Sequence, residues 1–102
     1  MKKTILTAVI VMTASITYAS DDICGKYSEL AESIMSARQT GVPAVKLIET
    51  QMDNENAAFF NLYKNLVIEA YEYPRYSFKD LQQESINDFK NDIYIECLKA
   101  NR

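Results

Sequence analysis

No histidine occurs anywhere in the 102 residues. That removes the commonest general base and the commonest metal ligand at one stroke. Cysteine is scarce too: Cys24 and Cys97 are the only two. Once paired they leave no thiolate for zinc, and their separation is not that of a redox-active CxxC. Glycine and proline number two each, and neither a Gly-rich phosphate loop, a GxSxG elbow nor an EF-hand calcium loop can be found. Carboxylates alone could serve glycoside hydrolysis, which needs two of them. Here they fall in pairs on the polar faces of predicted helices, Glu29 with Glu32, Glu69 with Glu72 and Asp88 with Asp92, as solvated surface does. The chain is therefore expected to be non-enzymatic, with no cofactor and no metal.

Only one long apolar run is present, and it stands at the N-terminus. Lys2 and Lys3 precede an uncharged stretch from Thr4 to Ile16, followed by Thr17-Tyr18-Ala19 with small residues at −3 and −1. This is the pattern of a cleavable secretory signal peptide over residues 1–19. As a helix the run rises only about 20 Å against a hydrocarbon core of about 30 Å, too short for a stable span. Cys24 follows Asp21-Asp22-Ile23, which is not a lipoprotein cleavage context. The expectation is an exported protein of the periplasm, or a secreted one, with no membrane insertion after cleavage.

Removing 19 of the 102 residues leaves 83, a single domain at 20–102. Of the 11 basic and 14 acidic residues, Lys2 and Lys3 depart with the leader. The remainder carries a formal charge of −5, so nucleic acid and anionic membranes are poor partners and a cationic one is permitted. In an oxidising compartment the two cysteines read as one disulfide. The loop it would close, residues 24 to 97, corresponds to about 4 kcal/mol of chain entropy.

Apolar residues recur at three- and four-residue spacings, not at two. A first helix is predicted from Asp21 or Asp22 to just before Gly41, with the stripe Cys24, Tyr27, Ala31, Ile34, Met35 and, one turn on, Arg38. A short second helix starts near Pro43 and carries Val45, Ile48 and Met52. The third spans about Glu55 to Tyr71, ended by Pro74, and shows Phe59, Tyr63, Leu66, Val67 and Ala70. The fourth begins near Ser77, where Ser77 and Asp80 suit a capping box, and its stripe is Phe78, Gln82, Ile86, Phe89, Ile93, Cys97. Both cysteines sit on apolar stripes. The predicted fold is all-α: a compact bundle of about four helices, closed by a Cys24–Cys97 disulfide between the first and the last.

Two features stand out. Arg38, with Gln39, ends the first helix; it is either a cation favoured by the helix dipole with its stem on apolar surface, or a structural ion pair to a carboxylate such as Glu69 or Glu96. The segment Ala70-Tyr71-Glu72-Tyr73-Pro74-Arg75-Tyr76-Ser77-Phe78 crowds tyrosine and arginine into one turn. These residue types anchor protein interfaces. The alternative is that Tyr71 and Tyr76 plug the core and their hydroxyls tie the turn down. Tyr73 and Arg75 are expected to be exposed either way, and Tyr73, Arg75 and Tyr76 are the candidate partner-binding residues.

The pattern of Cys24, Ala31-Glu32-Ser33-Ile34-Met35, Arg38-Gln39, Gly41, Ala70-Tyr71, Pro74, Tyr76, Ile86, Phe89 and Tyr94 to Cys97 covers nearly all of residues 20–102. It resembles a family of small exported helical proteins of unknown function, frequent in proteobacterial genomes and prophage regions. The resemblance implies a helical, disulfide-closed protein and a phage origin, and nothing about mechanism. In size, compartment and cysteine count the chain is also similar to periplasmic acid-stress chaperones. The leading expectation is a binding or inhibitory module, monomer or weak dimer, acting on another periplasmic or envelope protein. An envelope-stress chaperone that exposes apolar faces in acid is the alternative, and a small cell-wall hydrolase a third.

Overall fold

The computed structural model describes residues 22–101. The leader read at residues 1–19 and the Asp21 cap lie outside them. Four helices are seen among the described residues and no strand: α1 (22–40), α2 (Ala44–Glu49), α3 (Ala57–Glu72) and α4 (Lys79–Ala100). None of them is long and apolar enough to cross a membrane.

The helix ends follow from a few residues. At the end of α1, Gly41 takes φ +94° while its N–H donates to the Arg38 carbonyl and the Val42 N–H donates to that of Ala37. This paired closure needs a left-handed residue, and glycine enters that region without a Cβ penalty. Asn56 caps α3, its side-chain oxygen accepting from the Phe59 N–H at 3.0 Å. The helix stops at Tyr73, next to Pro74.

Four expectations are corrected. The second helix ends at Glu49, so Met52 falls in the following turn, 66 % exposed; here Thr50 Oγ1 donates to the Leu47 carbonyl and diverts the chain. Val45 likewise faces solvent. No Ser77–Asp80 capping box forms: the N-cap position is Phe78, which has no side-chain acceptor. Gln82 reaches back instead, donating from Nε2 to the Tyr76 carbonyl at 2.6 Å. Phe78, expected on the stripe, is 73 % exposed.

The core lies where three helices meet: Ala31, Ile34 and Met35 from α1, Tyr63, Leu66, Val67 and Ala70 from α3, Phe89 and Ile93 from α4. The short α2 lends half-buried Ala44, Leu47 and Ile48 to its edge. Helices α1 and α4 run antiparallel, and three contacts give the register. Cys24 and Cys97 are joined by a disulfide with Cα atoms 5.5 Å apart. Lys90 Nζ stands 3.0 Å from Glu32 Oε1 in the middle. Ser85 meets Met35 and Gln39 at the far end. The bundle is therefore closed by one bond between its first and last helices, and that bond fits an oxidising compartment.

Candidate functional site

The turn between α3 and α4 is built on the end of α1, and a buried amide is its keystone. Gln39 is 1 % exposed. Its Oε1 accepts from the Tyr76 N–H at 2.9 Å and its Nε2 donates to the Pro74 carbonyl at 3.0 Å. One side chain thus pairs with the backbone on both sides of residue 75, as a neighbouring strand would. The same Nε2 lies 3.5 Å from Ser85 Oγ, so the amide is satisfied on every side, as burial demands.

Two arginines lock the turn from outside. Arg38 donates from Nε and Nη2 to the Tyr73 carbonyl at 3.2 and 3.1 Å, with its guanidinium 5.0 Å from the Tyr71 ring centre. Of the two readings of Arg38, the ion pair with Glu69 or Glu96 is not formed: α1 ends against the turn, so a carbonyl and an aromatic face lie within reach there. Arg75 donates from Nε to the Gln39 carbonyl at 3.1 Å. Its guanidinium lies so close to Gly41 that a Cβ there would sit 2.8 Å from Nη2. The Tyr71 hydroxyl donates to the Val42 carbonyl, so this tyrosine does tie the chain down.

The three candidate residues are thus brought together and partly spent inside the molecule. Arg75 is exposed, as expected, but its guanidinium is engaged with α1. Tyr73, expected in the open, is half-buried: its ring meets Phe89 edge-on at 5.4 Å, and its hydroxyl points at Asp92 Oδ2, 3.4 Å away. Burial first, then the Asp92 charge and hydrogen bond, then Asp88 and Glu69, hold the Tyr73 phenol above its ordinary range. Tyr76 is half-buried beside it. Tyr73, Tyr76, Leu81 and Ser85 line a depression of about 110 Å³ with Glu84 and Asp88 at its rim.

The sequence marks Gln39 only as the neighbour of Arg38, because a polar residue at a helix end ordinarily faces water. Its signal was positional: Ala31, Met35 and Gln39 follow each other at four-residue steps, so the buried ridge runs straight into it. Among the described residues no group of three acidic or cysteine side chains is arranged to hold a metal ion. No protein-family model, curated protein or solved structure matches the chain.

Proposed function

We propose that this chain is a non-enzymatic binding module of the periplasm, delivered there by the leader at residues 1–19, that acts by occupying a surface of another envelope protein. Tyr73, Arg75 and Tyr76 form the centre of the contact, with Phe78 and Leu81 beside them. The observation that carries this reading is the bracing of the turn from beneath by Gln39 and Arg38. A contact surface already held in one conformation loses little freedom on binding, which is where much of the free energy of association is otherwise consumed. Half-buried tyrosines around a small depression, next to exposed Phe78 and Leu81, supply the aromatic and aliphatic anchors such contacts use.

The test is affinity capture from periplasmic extract with the oxidised protein, beside an Arg75→Ala/Tyr76→Ala variant and a Phe78→Ser variant whose helical content is checked by circular dichroism. A specific partner recovered by the parent and lost by folded variants is the expected result. Recovery of nothing specific across several salt and pH conditions, or equal recovery by all three proteins, removes the proposal.

A further inference from the structure

The two flanks of α4 are electrostatically unlike. Toward α1, Glu32 is paired with Lys90. Toward α3, Glu84, Asp88, Asp92 and Glu96 follow one another at four-residue steps, all exposed, and Glu69 joins them from α3. None of these five carboxylates takes part in an ion pair among the described residues. The basic residue nearest the row in sequence at its C-terminal end is Lys99, three residues past Glu96. The groups do feel one another: burial first, then Glu96 and Glu72, raise the Glu69 carboxyl above its ordinary value.

The row is not merely charged surface, because two hollows lie along it, one of mixed polarity and one mainly apolar. One is the depression at Tyr73, Tyr76 and Leu81. The other, about 310 Å³, lies farther along the α3–α4 seam, where Leu62, Leu66, Ile93 and Ala100 are flanked by Glu69 and Glu96. Tyr73 lines the first of them, with its hydroxyl 3.4 Å from Asp92 Oδ2. Four-residue steps on a helix advance about 6 Å each, so the row from residue 84 to residue 96 extends about 18 Å. A second helix with basic residues at the same four-residue steps repeats at that same interval. An extended peptide, whose same-side residues recur every 6.6–6.8 Å or so, drifts out of step by about 2 Å along the row.

We infer that the α3–α4 seam is the docking surface for a cationic amphipathic helix of a partner protein, its lysine or arginine side chains meeting Glu84, Asp88, Asp92, Glu96 and Glu69 and its apolar side chains entering the two hollows. The inference rests on the binding-module reading and supplies the chemistry of the partner. The charge row gives orientation and rate of encounter, and the hollows give the apolar area that holds the complex.

The experiment is an NMR titration of the ¹⁵N-labelled oxidised protein with three synthetic helical peptides of one design: leucine on one face, and lysine, glutamate or glutamine at four-residue steps beside it. The lysine peptide is expected to shift amides of residues 62–73 and 81–100 selectively, with a Kd that rises with salt. Asp88→Asn/Asp92→Asn, which leaves Tyr73 an acceptor, is expected to weaken it at least tenfold. Asp53→Asn/Glu55→Gln, the same change of net charge in the turn before α3, is expected to alter it less than twofold. Equal weakening by both pairs, or shifts spread over every acidic surface, overturns the site. Seam binding by the glutamate or glutamine peptide as tight as by the lysine peptide overturns the cationic class and leaves the binding module standing. No seam shifts with any peptide, while capture through Tyr76 and Arg75 succeeds, overturns this inference alone.

Discussion

The two ends of α1 are fastened in opposite ways. At its start a covalent bond joins Cys24 to Cys97. At its finish there is no covalent tie, and hydrogen bonds from Arg38, Gln39 and Arg75 hold the helix to the turn after α3. A disulfide acts largely by limiting the unfolded chain, whatever its neighbours do. The amide clamp acts only in the folded chain and requires each donor and acceptor to be in place. The first kind of fastening tolerates change around it. The second fixes the shape of the turn that we propose meets a partner.

Breaking the covalent end has the largest expected effect. A Cys24→Ser/Cys97→Ser variant should lose about 4 kcal/mol in urea unfolding, and reducing the parent with dithiothreitol should reproduce that loss. A loss below about 1 kcal/mol would mean that the other contacts between α1 and α4 already hold these ends together. The amide end comes next. Gln39→Leu fills the site but leaves the Tyr76 N–H and the Pro74 carbonyl without their partner, at a cost of about 2–3 kcal/mol. The two ends stand about 22 Å apart along the helix, so combining the changes should add to within about 0.5 kcal/mol; strong coupling would refute the idea of two separate fastenings. Smallest is Gly41→Ala, about 1–2 kcal/mol from the left-handed backbone and the close guanidinium. Arg75→Ala in the same chain should recover the part due to crowding and leave the part due to φ, which a double-mutant cycle separates.

Much of this architecture can be read from residue order, and the part that cannot has a physical reason. Both cysteines lie on apolar stripes, and Gly41 and Pro74 punctuate the chain where helices end, because glycine and proline act through local backbone sterics. Helix α4 begins later than its serine suggests because the start is decided by the turn, which Gln39 holds through Pro74 and Tyr76 from 35 and 37 positions away. Ser28 and Ser85 are buried although both are polar. Ser28 satisfies its hydroxyl on the Gly25 carbonyl, 2.7 Å away within its own helix, so its burial carries no signature of a distant partner. The candidate site was legible as an address, the aromatic turn, and not as a construction. Which tyrosine faces inward depends on Phe89, and which arginine finds a carbonyl depends on where α1 stops.

The disulfide spans 73 positions of sequence, and every turn between the helices falls inside the ring it closes. The stretch 50–56 is mostly exposed and lies outside the helices, the kind of segment that proteases open first. A single cut there would leave two polypeptides still joined through sulfur, with α1 and α2 on one and α3 and α4 on the other. Such a nicked molecule runs as one species until reductant is added, and it can keep its folded surface. In a compartment where proteases are at work, the ring turns what would be destruction of the chain into a local scar.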